Sequence, residues 1–150
     1  MKIFFASDHA GFELKQKLMP FVEGLGHTVE DKGDFQNNAE DDYPDFISLA
    51  ASEVSKDKES KGIIIGGSGE GEAMVANRFP NVRAVLWYGE SMDIIKLSRQ
   101  HNDANILSIG ARFVEEEKAK EAVKLWLETA FSGDERHIRR IKKIEKIRYQ

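Results

Sequence analysis

The stretch from Gly66 to Glu72 places four glycines, one hydroxyl and two carboxylates within seven residues. Three β-branched apolar residues precede it and predict a short buried strand, and the segment 73–77 can open a helix. Glycines in such a strand-to-helix turn allow several backbone N–H groups to point at one anion. A loop that only holds phosphate would rarely carry two carboxylates beside it. We therefore predict that Glu70 or Glu72 moves protons next to a bound anion.

The glycine spacing does not identify a nucleotide site. It matches neither the G-x-G-x-x-G dinucleotide signature nor the Gly-Lys-Ser/Thr of a P-loop. The same residues also fit a glycine-rich turn whose glutamates only favour the helix N-terminus. The choice between these interpretations depends on the other polar residues of the chain.

Several other polar residues follow or precede predicted strands and are candidates for a shared site. They fall into three chemical groups, although Asp8 could instead serve only as a helix N-cap. The phosphate-binding group is made up of the cradle amides (Gly67, Gly69 and Gly71), His9, Arg112, Arg136 and Arg140; the acid–base group is Asp8, Glu72 and His101; the neutral donors are Ser68, Asn102 and Tyr43.

These groups can catalyse proton abstraction next to a carbonyl. A carboxylate removes the C–H proton, amides or hydroxyls hold the developing oxyanion, and the proton returns to the neighbouring carbon. Glutamate is a weak base at its usual pKa, but burial in a closed loop would raise that pKa toward neutrality. The sequence shows no cofactor motif, and its four histidines lack a metal-ligand spacing, so we expect neither a cofactor nor a metal.

Length and composition limit these interpretations. The chain has 150 residues, of which 41% are hydrophobic and 32% charged, as is typical of one globular domain spanning 1–150. Its net charge of -4 gives no general attraction to nucleic acid or anionic lipid, and it has no cysteine. No apolar run approaches the ~20 residues that cross a bilayer, and the N-terminal run is too short for a signal peptide. We therefore expect a cytoplasmic protein.

The elements that must position these residues alternate between strand and helix. Sequence patterns predict strands over 1–7, 27–31, 63–65, 83–88 and 106–109, and helices after Gly11, from Asp42, from Ala73, after Ser91, over 115–131 and over 135–148. This alternation predicts a parallel sheet covered by helices on both faces. Ligands bind at the carboxyl ends of such strands, so we expect all the polar clusters, including His101 and Asn102, to meet there.

The last predicted helix carries seven Lys or Arg residues between Arg136 and Arg148. Arg136 and Arg140 are one helical turn apart and share a face. The charge run fits either a solvated helix face or a nucleic-acid surface. We predict the solvated face and no nucleic-acid binding, because the rest of the chain is acidic and offers no aromatic stacking set.

Six motifs together resemble the ribose-5-phosphate isomerase B and galactose-6-phosphate isomerase family. They are Ser7-Asp8-His9-Ala10-Gly11, Asp42-Tyr43-Pro44, Gly66-Gly67-Ser68-Gly69-Glu70-Gly71-Glu72, Ala76-Asn77, Ser98-Arg99-Gln100-His101-Asn102-Asp103 and Gly110-Ala111-Arg112. The resemblance covers almost the whole chain. It implies an α/β fold, a Rossmann-like three-layer sandwich with a five-stranded parallel sheet, and dimers whose metal-free sites use both subunits.

The resemblance also implies the interconversion of ribose 5-phosphate and ribulose 5-phosphate through a cis-enediol. His101 and Asp8 would help to open the furanose ring, and Ser68 would move the proton between O1 and O2. The substrate contacts it implies are His9, Arg112, Arg136 and Arg140 on the phosphate, Tyr43 in the sugar pocket, and Asn102 with the amides of Gly67, Gly69 and Gly71 on the enediolate.

The chain departs from many family members at Gly66. Many members carry a cysteine base just after the third strand, where this chain has a glycine. Another branch of the family carries a glutamate at the end of the glycine loop, and Glu72 matches it. We therefore predict that Glu72 is the base that moves the proton between C1 and C2, with Glu70 as its rival.

Two alternatives stay open at the level of sequence. The substrate could be a 6-phosphohexose such as allose or galactose 6-phosphate, which needs a roomier pocket. The chain could also be a catalytically inactive sugar-phosphate-binding protein, although Asp8, His101 and Glu72 are all present. In either case we expect a homodimer or a dimer of dimers, with the helix 134–148 packing on the partner subunit, and no membrane binding.

Overall fold

The computed structural model describes residues 1–147, whose strands form one five-stranded parallel sheet. The strands are β1 (Lys2–Ser7), β2 (Thr28–Asp31), β3 (Lys61–Gly66), β4 (Ala84–Trp87) and β5 (Ile106–Gly110). The helices are α1 (Phe12–Gly24), α2 (Tyr43–Lys56), α3 (Glu70–Ala76), α4 (Met92–Asn102), α5 (Glu116–Glu128) and α6 (Glu135–Glu145). None of these helices is long and apolar enough to span a lipid bilayer.

Alternating strand residues contribute to two separate cores, one on each face of the sheet. In β1, Ile3 and Phe5 pack with α1, α4 and α5, whereas Phe4 and Ala6 pack with α2 and α3. The cause is the two-residue period of a strand, which sends successive side chains to opposite faces. The isoleucines 63–65 of β3 are buried on both faces. The predicted Rossmann-like three-layer sandwich is therefore confirmed.

The five parallel strands are ordered β2-β1-β3-β5-β4, so the direction in which the chain adds strands to the sheet changes between β1 and β3. The chain builds outward from β1 to β2 and then crosses to the other side of β1 to form β3. In open parallel sheets the ligand crevice lies outside the carboxyl ends of the strands at such a point. Asp8 directly follows β1 and Gly67 directly follows β3, so both residues flank this crevice.

Three helix boundaries bear on the candidate site. Helix α3 starts at Glu70 rather than Ala73, because Gly69 already caps it. Helix α4 continues through a polar segment to Asn102, and Arg99 pairs with Asp103 at its end. Helix α6 ends at Glu145, and Arg148, the last residue of the predicted helix, lies outside the described residues.

Candidate active site

A turn at 67–69 joins β3 to α3 and forms the predicted cradle. Gly69 has a φ of 81°, a left-handed conformation that favours glycine. Its carbonyl accepts a hydrogen bond of 2.6 Å from the Ser108 hydroxyl of β5. The Ser68 Oγ accepts one of 3.3 Å from the amide of Glu70. These bonds fix the turn on the sheet and leave Ser68 partly accessible.

Glu72 directs its carboxylate back toward the end of β3. The residue is only 4% exposed, and its carboxylate fills the space beside Gly66, where an added Cβ would lie 2.5 Å from Oε2 and closer still to Oε1. Burial raises the pKa of Glu72; its own backbone amide opposes this shift, and the charge of Asp8 adds to it. Glu70, the rival candidate, is exposed. Glu72 therefore has the environment of a general base.

Asp8 is also buried, at the carboxyl end of β1. Gly11, and not Asp8, is the N-cap residue of α1, but Asp8 Oδ1 accepts a hydrogen bond of 3.1 Å from the Gly11 amide. Asp8 thus stabilises the turn that leads into the helix. Its negative charge also acts on both Glu72 and His9, so the three side chains share one crevice.

His9 is held by Asp41, a residue that the sequence did not indicate. Asp41 Oδ2 accepts a hydrogen bond of 2.9 Å from the His9 amide, and Asp41 Oδ1 lies 2.6 Å from His9 Nδ1. The side-chain bond to Asp41 raises the pKa of His9 and favours its cationic form. The two residues are 32 positions apart, with no periodic pattern between them, so spacing could not have revealed the pair.

Two more predicted residues border the cradle. The Arg112 guanidinium lies over Gly67, where an added Cβ would be 3.2 Å from Arg112 Cζ. The Tyr43 ring lies over Gly71, where an added Cβ would be 2.7 Å from the Tyr43 hydroxyl oxygen. The structure thus brings together one set of predicted residues, which we call the cradle edge: Asp8, His9, Tyr43, Ser68, Glu72 and Arg112 with Gly67, Gly69 and Gly71.

Within residues 1–147, Asp8, His9 and Asp41 are the only His and acidic side chains grouped closely enough to share a metal ion. Their ligand atoms lie within 4.8 Å of one another. However, the 2.6 Å separation of His9 Nδ1 and Asp41 Oδ1 is that of a charge-assisted hydrogen bond. We therefore interpret the group as an ion pair beside a second acid.

His101 and Asn102 lie at the opposite edge of the sheet, so the prediction that they lie at the carboxyl ends of the strands is wrong. They end α4, which runs antiparallel to the strands and returns to the amino end of β5. Arg83, just before β4, donates from Nε to the Asn102 carbonyl at 3.1 Å, which fits this placement. The length of β5 separates the two edges by at least about 13 Å.

Helix α6 extends this second group. His137 stacks on His101 with ring centroids 4.3 Å apart, and burial, together with the neighbouring His101, lowers the pKa of His137. The sequence suggested no role for His137, because the residue that it contacts, His101, belongs to another helix. Arg136 and Arg140 are exposed on the same helix. We call this set the histidine edge: His101, Asn102, Arg136, His137 and Arg140.

Known proteins resemble this chain in both sequence and fold. The profile of the family described as Ribose/Galactose Isomerase matches residues 3–144. Ribose-5-phosphate isomerase B of Mycolicibacterium paratuberculosis is 41% identical over 141 residues, which cover 94% of this chain and 87% of that protein. The Escherichia coli ribose-5-phosphate isomerase B is 38% identical over 146 residues, covering 97% of this chain and 95% of that protein.

A solved structure extends the likeness to three dimensions. The crystal structure of ribose-5-phosphate isomerase B from Mycoplasma genitalium with bound ribulose-5-phosphate matches with a TM-score of 0.92 and 39% identity. The match covers 97% of this chain and 94% of that chain. Sequence and fold thus agree over nearly the whole length, and the chain belongs to the ribose/galactose isomerase family.

Proposed function

We propose that this chain is an aldose–ketose isomerase that interconverts D-ribose 5-phosphate and D-ribulose 5-phosphate. Similar proteins bear that activity in their names, and one similar crystal structure holds ribulose 5-phosphate. The observation that carries the proposal is the buried Glu72 carboxylate beside Gly66 and close to Asp8 at the ligand crevice. The reaction needs such a base, because it moves a proton between adjacent carbons.

Glu72 acts in both halves of the proposed proton transfer. Its ionised carboxylate removes the proton from C2 of ribose 5-phosphate and forms a cis-enediol. The protonated carboxyl then returns the proton to C1, which gives ribulose 5-phosphate. The raised pKa of Glu72 strengthens the base and keeps the acid form available for the second half. A well-placed group of this kind contributes ~10²- to 10⁴-fold in rate.

The cradle is proposed to stabilise the oxygens of the intermediate. The amides of Gly67, Gly69 and Gly71, with Asn102 from the other subunit of a dimer, would hold the developing enediolate charge. Ser68 would move the proton between O1 and O2. Its Oγ already accepts a hydrogen bond from the Glu70 amide, which leaves the hydroxyl hydrogen free to be donated.

We propose a homodimer whose active sites draw on both subunits, either alone or as a dimer of dimers. Each chain holds the base and the ring-opening His101 at opposite edges of its sheet. A two-fold axis can bring the histidine edge of each subunit to the cradle edge of the other. Helix α6 is suited to this contact, because Ile138 and Ile144 are exposed on it beside the arginines.

In that arrangement Asp8 of one subunit and His101 of the other open the furanose ring together. The phosphate is then held by His9 and Arg112 of the first subunit and by Arg136 and Arg140 of the second. We assign the reaction to the pentose phosphate pathway. We place it in the cytoplasm, because a doubly charged sugar phosphate does not cross a bilayer unaided and the enzyme must share the compartment of its substrate.

The test incubates the purified protein with ribose 5-phosphate and excess chelator in deuterated water. We expect ribulose 5-phosphate with solvent deuterium on C1, read by NMR. Glu72→Gln should lower kcat by at least ~10²-fold with little change in KM, because the base acts mainly in the transition state. Glu70→Gln is the matched control and should retain the wild-type rate.

Two outcomes would contradict the proposal. Absence of ketose from the wild-type protein would reject the activity. A normal rate in Glu72→Gln, with a loss in Glu70→Gln, would reject the base assignment. Allose 6-phosphate and galactose 6-phosphate, run in parallel, show whether a hexose phosphate is the better substrate.

A further inference from the structure

Both carboxylate oxygens of Asp41 engage His9, and the Asp41 side chain also interacts with the side chain of Asp34. Oδ2 accepts the His9 backbone amide and Oδ1 pairs with the His9 ring at Nδ1. The Asp41 side chain is only 4% exposed, whereas the His9 ring is 33% exposed. A buried carboxylate that holds both the backbone and the ring of a neighbour fixes the rotamer of that neighbour.

The chemistry of the pair also fixes where the ring hydrogen lies. A carboxylate accepts hydrogen bonds, so His9 Nδ1 must carry a proton and the other ring nitrogen, Nε2, faces away from Asp41. Arg112 is close enough to His9 for its charge to oppose that of the ring. The free end of the imidazole and the Arg112 guanidinium therefore belong to the same anion-binding region of the cradle edge.

We propose that Asp41 is a positioning residue that clamps His9 in one orientation and stabilises its imidazolium form, whose Nε2–H then faces the substrate phosphate. This inference rests on the proposed function, in which His9 binds the phosphate. It adds to that function a residue from the loop between β2 and α2, which supplies no group to the reaction itself.

The loop that carries Asp41 is built as a rigid frame. Asp34, itself buried, accepts the amides of Gln36 at 2.7 Å and Asn38 at 3.0 Å. Its own backbone amide donates to the carbonyl of Ser7 at 2.7 Å, which attaches the loop to the end of β1. The fully buried Lys15 ammonium donates to the Asp34 carbonyl at 2.7 Å. Asp41 is joined to this frame by its backbone amide, which donates to the Asn38 carbonyl at 3.0 Å, so the loop holds Asp41 beside the sheet edge that carries His9.

The charges around His9 predict how the clamp depends on pH. Asp41 is the main cause of the raised pKa of His9; burial opposes it, Asp8 adds to it and Arg112 opposes it. Without the Asp41 charge the pKa of His9 falls back toward its usual value. Between the two pKa values only the wild-type ring is cationic, and a cation binds the phosphate dianion more strongly. Well below both values the two rings carry the same charge.

Steady-state kinetics of Asp41→Asn test this difference. We expect the ratio of the Asp41→Asn KM for ribose 5-phosphate to the wild-type KM to fall as the pH is lowered, from about tenfold above the usual histidine pKa of about 6.5 to less than about threefold at about pH 5, with kcat within about twofold of wild type. The substrate phosphate titrates identically for both proteins, so it cancels from the ratio of their KM values. Glu40→Gln removes an exposed carboxylate next to Asp41 and is the matched control, with KM unchanged at both pH values.

A second variant, Asp41→Glu, separates the loss of the carboxylate charge from a general folding defect. Asp41→Glu keeps the charge and moves it by one methylene, so we expect its KM to differ from the wild-type KM by at most a constant factor. That factor should stay the same from about pH 5 to above the usual histidine pKa of about 6.5. A factor that changes with pH in Asp41→Glu, or one that stays constant in Asp41→Asn, would show that Asp41 has only a structural role and would overturn the proposal.

NMR titration of the His9 ring separates the clamp from the activity. The His9 resonance is assigned by its loss in His9→Gln, and inorganic phosphate is the probe of binding. We expect the pKa of His9 to be lower in Asp41→Asn than in wild type, and phosphate to shift the ring signal less. An unchanged pKa would overturn the clamp even if the enzyme is active. A lowered pKa in a protein without isomerase activity would instead reject the proposed function alone.

Discussion

A single methyl group added at position 66 should displace the carboxylate of Glu72, the proposed base, without changing Glu72 itself. We expect Gly66→Ala to lower kcat for ribose 5-phosphate by about 10²-fold and to leave KM nearly unchanged. In the structure the Glu72 carboxylate fills the space beside Gly66, and an added Cβ would lie 2.5 Å from its Oε2 and closer still to Oε1. The methyl group and the carboxylate therefore cannot share this space.

The size of the effect follows from how far the carboxylate must move. Ordinary contact between a carbon and another heavy atom is at about 3.5 Å or more, so the carboxylate must retreat by at least about 1 Å. The backbone of Gly66 cannot yield instead, because it is buried and pairs with Gly110 in β5. A misplacement of about 1 Å can cost about 10²-fold in rate. The proposed phosphate contacts of His9 and Arg112, which we expect to govern KM, lie elsewhere on the cradle edge.

Ketose formation from ribose 5-phosphate gives kcat and KM for this test. Gly24→Ala is the matched control, because nothing lies within 4 Å of a Cβ added there. The double variant Gly66→Ala with Glu72→Gln should be no slower than Glu72→Gln alone, since both changes remove the same group. A Gly66→Ala enzyme at the wild-type rate, or losses that multiply in the double variant, would refute the reasoning.

Two further predictions concern the charge of Glu72 and the assembly. The pKa of Glu72 is raised above 4.5 in the folded chain. Ionisation of Glu72 therefore destabilises the fold increasingly as the pH rises from 4.5 to the higher pKa of the folded chain. Calorimetry should show Glu72→Gln melting above wild type at about pH 8, by roughly 2–4 °C per kcal/mol, with the gain lost near pH 4. Mixing Glu72→Gln with His101→Gln, followed by reassociation, should restore about a quarter of wild-type activity, because half the dimers are mixed and each has one intact site. If each chain holds a whole site, the mixture stays inactive.

The sheet was predictable because its signal is local. Isoleucines 63–65 mark a strand that is buried on both faces, and the alternation of strand and helix patterns leads to parallel pairing without any tertiary information. The start of α3 was not predictable in the same way. It depends on the left-handed backbone of Gly69, which the Ser108 hydroxyl holds from another strand.

The same difference between local signals and contacts with distant residues applies to the candidate site. Asp8, His9 and the cradle directly follow strands, so the rule that ligands lie at carboxyl ends placed them correctly. That rule misplaced His101, because a residue that precedes a strand lies at its amino end. The sequence could not indicate Asp41 or His137, because each joins the candidate site only through a contact with a residue distant in sequence. Asp41 contacts His9, and His137 contacts His101.

The separation of the two edges bears on the phosphate role that the family resemblance implies for Arg136 and Arg140 of α6. The cradle edge already buries two acids, Asp8 and Glu72, close to the proposed binding site of the phosphate dianion. His9 and Arg112 are the cations of that edge, so a second set of positive charges favours substrate binding there. In the proposed homodimer Arg136 and Arg140 arrive from the other subunit together with His101. In that arrangement substrate affinity and ring opening both depend on assembly, and the charges of Arg136 and Arg140 serve to bind the sugar phosphate.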